Sequence, residues 1–200
     1  MADTSTRTIP FDPHALLREF DPDNNRERFY EHLMAENRRV NLVSRETTRE
    51  DFEKLYAESL LPFTQLRFLV GTSYLDIGAG GGFPALPLLL SGRIDGHAVL
   101  VERREKKAGA LRRMLLALGL TADVLARDLS QCRFDEPFDL ITLRLVKLDR
   151  RLWATVRNLL SERGVCVYFG VPEFAIDDIA VFSWASPPHG AVKQFSLIRR

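Results

Sequence analysis

Cysteine is scarce in this chain: two in 200 residues, Cys132 and Cys166. That is too few for a disulfide framework, and their neighbours offer no metal-ligand spacing, so the expectation is two reduced thiols and no metal. Net charge is nearly absent too. With 28 basic and 27 acidic side chains the total is +1, which by itself points to no polyanionic partner. No apolar run is long enough to span a bilayer, and no basic-then-apolar leader opens the sequence, so a soluble, unexported, cytoplasmic chain without a membrane partner is expected. The 46% apolar content over this length suffices for one α/β domain with a buried core.

The most informative run is Y-L-D-I-G-A-G-G-G-F-P at residues 74–84. An apolar strand reaches Asp76, and glycines at 78, 80, 81 and 82 then lead into a segment opening with Pro84. Glycine tolerates positive φ and has no side chain to hold a ligand off, so the cluster reads as a loop of close backbone approach. A flexible surface linker is the alternative, and the ordered flanks speak against it. Pro84 and Pro87 fall at about the first and fourth positions of the helix that would follow, where backbone N–H groups have no intrahelical partner.

Two cofactor classes use such a loop. Gly80, Gly82 and Ala85 satisfy the dinucleotide pattern G-x-G-x-x-G/A, which keeps a nicotinamide or flavin enzyme open. Asp76, two residues ahead of Gly78, gives instead D-x-G-x-G-x-G, which resembles the first motif of S-adenosyl-L-methionine-dependent methyltransferases. In that class the carboxylate lies near the methionine amino end of the cofactor. Glu102 ends the next apolar run, H-A-V-L-V, about twenty residues beyond the glycines, where a carboxylate can accept both hydroxyls of an adenosine ribose. Both cofactors carry that ribose, so Glu102 supports a nucleoside without choosing between them.

The periodicity along the chain is ordered. Residues 1–10 are polar and expected to fray. Helical spacing covers His14–Phe20, Arg26–Asn37 and Arg49–Leu61, the last stopped by Pro62. From Ser73 strands alternate with helices: strands at Tyr74–Ile77, Ala98–Val101, Ala122–Ala126, Leu140–Leu143 and Val165–Phe169, helices between them, Glu105–Leu118 being the clearest and Gly119 its stop. Val181–Ala185 and Val192–Ile198, joined by P-P-H-G, read as a β-hairpin closing one sheet edge. The expected fold is α/β: a seven-stranded Rossmann-like methyltransferase sheet with a C-terminal antiparallel hairpin. Residues 1–70 would form an N-terminal helical extension packed on the core of residues 71–200, one structural domain overall.

The basic residues are clustered although their total is balanced. Arg103, Arg104, Lys106, Lys107, Arg112 and Arg113 crowd the segment after Glu102, and Arg144, Lys147, Arg150 and Arg151 form a second group. Such groups beside a cofactor loop suit phosphate contacts, with a solvated helix face as the alternative.

Beyond the first motif, the chain resembles the glucose-inhibited division protein B family, bacterial methyltransferases acting on guanine N7 in small-subunit (16S) ribosomal RNA. The likeness runs from about residue 30 to 170. Its elements are Asn37 followed by Asn41, Leu42, Val43, Ser44; the loop continuation Phe83, Pro84, Ala85, Leu86, Pro87, Leu88; the pair Lys106, Lys107; Arg127; and F-D-L-I-T-L-R ending at Arg144. The double proline is the most discriminating of these. The resemblance implies cofactor contacts from Asp76, Gly78, Gly80, Gly82, Phe83, Glu102, Asp128, Leu129 and Arg144. It implies a substrate side at Asn41, Ser44, Arg144 and Lys147, with ribosomal RNA or the small ribosomal subunit as partner to a monomer. Guanine N7 offers a lone pair and no proton to remove, so no catalytic acid or base is expected, only positioning, with Arg144 the candidate.

The departures from the family pattern fall on the substrate side. The family's H-I-x-D-S-L is L-Y-A-E-S-L at residues 55–60, its alanine after the arginine is Leu145, and its lysine-glycine after the fifth strand is Phe169, Gly170. These leave cofactor use intact. They keep two alternatives in view, a divergent methyltransferase acting on another RNA or a small molecule, and a cofactor-binding protein without turnover.

Overall fold

The computed structural model describes residues 6–67, 71–186 and 190–200. Within them lie six α-helices: α1 (Pro13–Phe20), α2 (Arg26–Asn37), α3 (Arg49–Leu60), α4 (Ala85–Leu90), α5 (Glu105–Leu118) and α6 (Arg150–Leu159). The strands are β1 (Arg7–Thr8), β2 (Tyr74–Ile77), β3 (Ala98–Val101), β4 (Asp123–Leu125), β5 (Phe138–Leu143), β6 (Leu160–Tyr168), β7 (Ile179–Ser186) and β8 (Ala191–Arg199). They form one sheet in the order β1-β7-β8-β6-β5-β2-β3-β4, parallel from β6 to β4, with β8 antiparallel to both β6 and β7. This is the expected α/β methyltransferase arrangement with one strand more than the seven predicted.

The extra strand corrects the expectation of a frayed start over residues 7–9, while residues 1–5 lie outside the described residues. Arg7 and Thr8 pair parallel with Phe182 and Ser183, and the Ile9 N–H donates to the Ser183 carbonyl at 2.9 Å. They take up the backbone groups at the middle of the β7 edge, which would otherwise stand open there. A strand this short leaves no alternation in the sequence. The helix expected between β4 and β5 also needs correction. Between β4 and β5 the chain makes only a 3-10 turn, Leu129–Gln131, and residues 169–178 between β6 and β7 have neither helix nor strand. Neither stretch carries an apolar repeat long enough for a helix, and in the second Phe174 and Ile176 pack at a spacing of two. The hairpin turn expected at P-P-H-G lies outside the described residues up to Gly190.

Every residue of β2 and β3 is buried, as parallel strands require when both sheet faces are covered. The pleat sorts them: Tyr74, Ala98, Leu100 and Leu140 join one apolar cluster, Leu75, Val99, Val101 and Ile141 the other. The first cluster receives residues from α1 to α5, the second from α6 and the irregular connections.

Local signals fix the helix ends. Thr48 and Asp51 form a reciprocal capping box at the start of α3, each side chain accepting the other's backbone N–H at 3.1 and 3.0 Å. Asp12 caps α1 ahead of Pro13, and Asp149 caps α6. Gly119 ends α5 in the left-handed conformation, φ +71°. Pro84 and Pro87 stand at the N-cap and third position of α4, one residue earlier than expected and still within the turn that needs no N–H partners.

The N-terminal helices meet the glycine loop through aromatic rings. Phe29 of α2 lies 5.5 Å from Phe52 of α3 and 5.2 Å from Phe83 of the loop, and Phe52 lies 5.9 Å from Tyr56. Arg113 of α5 adds a two-pronged bond to Glu36 of α2, at 2.8 and 2.6 Å, which holds the Glu36 carboxyl below its usual pKa. Phe29 is fully buried. Phe29→Ala is expected to cost about 3–5 kcal/mol of stability. Chemical denaturation should show the whole transition shift with its slope unchanged.

Candidate functional site

Chain order along the sheet reverses between β2 and β5, leading to β3 and β4 on one side and β6 on the other. Connections leave such a point in opposite directions, so a crevice opens at the carboxyl ends of the strands. A cavity of about 770 Å³ lies there, walled by the segments that follow β2, β3, β4 and β5 and by residues 42–47 from the N-terminal part.

The glycine loop is hung from β3. Gly78 and Ala79 donate their N–H groups to the Val101 carbonyl at 2.8 and 3.1 Å. Gly78 has φ +80°, and a Cβ there would sit 2.5 Å from Val146 Cγ2, so the close packing of two loops excludes any side chain. Gly80 also has positive φ but borders the cavity, where an added Cβ would meet nothing nearer than 3.6 Å. Its N–H donates to Glu102 Oε2 at 3.0 Å, while Glu102 Oε1 accepts from the Arg104 N–H at 2.8 Å. Glu102 therefore pins the loop and lines the cavity at once.

Asp76 lies just behind this loop and is 1% exposed. Thr142 Oγ1 donates to its Oδ1 at 2.5 Å and is itself 2.8 Å from the Tyr74 hydroxyl, whereas Oδ2 has no hydrogen-bond partner. Burial pushes the Asp76 pKa up to about 7; the Thr142 bond pulls the other way, the Glu102 charge adds to the rise and Arg144 opposes it.

A second loop is folded onto the first by Asn37, buried at the end of α2. Its Oδ1 accepts from the N–H groups of Leu42 and Val43 at 2.8 and 3.1 Å, and its Nδ2 donates to the Ser44 carbonyl at 3.4 Å. The Leu42 carbonyl then packs so closely on the glycine loop that a Cβ on Gly81 would lie 3.0 Å from it. Asn37 is thus the clamp that carries Leu42, Val43 and Ser44 to the cavity wall.

Arg144 follows β5. Its guanidinium donates to Ser59 Oγ at 2.6 Å, lies 3.5 Å from Glu58, and rests 5.0 Å from the Phe169 ring centre. Glu58, 2% exposed, also receives Lys193 of β8 on both carboxylate oxygens at 2.6 and 2.7 Å. Burial lowers the Arg144 pKa despite the Glu58 and Asp76 charges. The remaining cations divide by role. Arg112 and Arg113 are spent on Glu105 and Glu36, and Lys147 pairs with Glu173 at 3.3 Å. Arg103, Arg104, Lys107 and Arg127 line the cavity.

Of the residues singled out in the sequence, Ser44, Gly78, Gly80, Phe83, Glu102, Asp128, Leu129, Arg144 and Lys147 come together around this cavity. Asp76 and Gly82 stand behind the lining, and exposed Asn41 borders an adjacent hollow with Arg104 and Lys107. Asp128 caps the 3-10 turn by accepting from the Ser130 hydroxyl and N–H at 2.7 and 3.0 Å, which lowers its pKa. Leu42, Leu145 and Val146 also wall the cavity, and the spacing of motifs gave no sign of them as lining. Among the described residues no group of three or more His, Cys, Asp or Glu side chains could hold a metal ion, and no helix is long and apolar enough to cross a membrane.

The family model described as "rRNA small subunit methyltransferase G" (GidB) matches residues 23–171. The chain belongs to this family. A ribosomal RNA small subunit methyltransferase G of Gloeobacter violaceus is 34% identical over 161 residues, covering 78% of this chain and 58% of the relative. One from Chlorobium chlorochromatii is 32% identical over 179 residues, covering 83% and 76%. Against the Gloeobacter protein and a Rhodopseudomonas palustris relative, the chain spans only 58% and 57% of their lengths. Among solved structures, cofactor-bound Rv0187 from MTB superposes with a TM-score of 0.62 at 18% identity, over 94% of this chain and 96% of that one. A Thermus thermophilus 16S rRNA N2 G1207 methyltransferase gives 0.54 at 20% identity, over 73% and 43%. At these identities the structures support the fold alone.

The Asp76 environment has a measurable consequence. Its folded pKa is raised above the unfolded value of 3.8, so its contribution favours the folded state below that value and is lost as pH rises through about 7. The melting temperature of the ligand-free protein is expected to decline from about pH 4 to pH 8 by more in the wild type than in Asp76→Asn, which should be the more stable of the two above pH 7.

Proposed function

We propose that this protein transfers a methyl group from S-adenosyl-L-methionine to N7 of a guanine in small-subunit (16S) ribosomal RNA. The observation that carries the reading is the cavity at the strand-order reversal, with a glycine loop and a nearly buried carboxylate on one side and cations around it. The donor set fits the cofactor. Glu102 sits where two ribose hydroxyls can be accepted, and Gly80 leaves room for backbone approach. The unpartnered Oδ2 of Asp76, just behind the lining, suits an ammonium group reached through water. Asp128 and Leu129 would hold the adenine end through backbone, and Phe83 would pack near the cofactor, its ring steadied by Phe29 and Phe52.

When bound, the cofactor supplies a sulfonium methyl already activated for displacement. What remains for this chain is geometry. Arg144, held by Ser59, Glu58 and the Phe169 ring, is placed to orient the accepting group or the cofactor carboxylate. Ser44, Asn41 and Lys147 would form the rim that receives the nucleotide. No side chain has to remove a proton, because N7 carries none. The same reading makes the protein a cytoplasmic monomer in which residues 1–70 and 71–200 fold as one unit.

A second reading, a related methyltransferase acting on another RNA or on a small molecule, draws on Phe169. That residue stands where a lysine was expected, and its ring faces Arg144 rather than offering a cation to phosphate. A binding protein without turnover would share the same cavity.

Tritiated methyl transfer to small-subunit RNA lacking the mark should be robust and absent with fully methylated RNA. Incorporation only into another RNA or a small molecule would favour the second reading, and cofactor binding with no product in any extract would favour the third. S-Adenosyl-L-methionine, and not NAD, should raise the melting temperature. Glu102→Gln removes a charged acceptor and should weaken cofactor binding about 10- to 100-fold by calorimetry.

A further inference from the structure

Leu145 is 99% exposed at the cavity wall and has φ +58°, a conformation a branched side chain resists. Its neighbours explain the posture. Arg144 is drawn inward by Ser59 and Glu58, and Val146 is wedged against the Gly78 turn so closely that no Cβ fits there. With both flanks anchored inward, the leucine between them is turned out into solvent. It accepts backbone strain and exposes apolar surface, and neither helps the chain to fold.

Its position says what could cover it. Glu102 and Asp128 follow β3 and β4, whereas Leu145 follows β5, on the other side of β2. Strands are spaced by about 4.8 Å, so a nucleoside resting at Glu102 and Asp128 would lie roughly 10 Å away, beyond the reach of a leucine. The methionine end of the cofactor, which Asp76 and Arg144 would take, is polar where it nears β5, so the apolar group meeting Leu145 is the second reactant. Lys147 follows on the same segment, and Arg103, Arg104, Lys107 and Arg127 line the far side of the cavity after β3 and β4, at the distance of a nucleotide's neighbouring phosphates. A ligand that pairs negative charge with a flat apolar face matches both features. We infer that Leu145 is a substrate contact, an apolar platform on which the purine base of the accepting nucleotide rests while the cations hold its flanking phosphates. This rests on the RNA reading above and assigns one side chain within it.

The test uses full-length protein carrying 13C-methyl leucine and loaded with S-adenosylhomocysteine, so that no turnover occurs. Unmethylated small-subunit RNA fragments are added, and their binding is followed separately by fluorescence anisotropy. Ring currents from a stacked base should move the Leu145 methyl resonances upfield on RNA addition and leave them in place on cofactor addition alone. In parallel, Leu145→Gly should raise the melting temperature by about 2–4 °C as strain and exposed apolar surface are removed. The same variant should raise KM for RNA about tenfold, through loss of one leucine's apolar burial, with cofactor affinity unchanged. Leu145→Met should keep the wild-type KM. Saturated RNA binding with unmoved methyl resonances would overturn the role of Leu145 alone, and so would a shift produced by cofactor alone. If anisotropy shows no RNA binding, the RNA reading fails and the Leu145 role with it.

Discussion

Everything at this site depends on one backbone arrangement: the turn after β2 is hung from the carboxyl end of β3. Two N–H groups of the glycine loop share the Val101 carbonyl, and a third is taken by Glu102 in the next position of the chain. The crevice exists because strand order reverses beside this turn, but its floor is shaped by these bonds. They also explain the spacing of glycines. Gly78 must admit Val146, Gly81 must admit the Leu42 carbonyl, and Gly80 faces the open space. Gly82, at φ +91°, must admit Leu86, so three of the four glycines make room for protein and one for the cavity.

The N-terminal helices are part of the same construction. Rings from α2 and α3 pack on Phe83, and the Asn37 clamp folds residues 42–44 over the loop. The sheet face covered by α1 to α5 becomes a wall for the cavity as well as a core. Burial and ligand access are thereby set by one cluster of contacts.

Much of this was legible in the sequence. The ends of β2, β3 and α5 coincide with the expected ranges because each is bounded by a strong local signal: a glycine turn, an acid at a strand end, or Gly119 after an apolar helical stripe. Glu102, Gly78 and Gly80 were readable for the same reason, since their chemistry depends on spacing along the chain. What escaped depends on meetings between distant segments. β1 is too short to alternate and exists because β7 offers it an edge. Asn37 was visible only as part of a motif; its three bonds to residues 42–44 need the helix end and the loop to be placed together. The basic cluster after Glu102 could not be divided until Glu36 and Glu105 were seen to take Arg113 and Arg112, leaving its neighbours to the cavity.

Glu58 gives the chain's last strand an unexpected connection. Its nearly buried carboxylate is gripped by Lys193 of β8 on one side and faces Arg144 on the other. The carboxyl-terminal hairpin lies outside the cavity, yet it contributes to the charge balance in which Arg144 is held. Removing the Lys193 charge alone would therefore leave the sheet intact and shift the Glu58 carboxylate toward Arg144, changing the field at the cavity from a strand that never touches it.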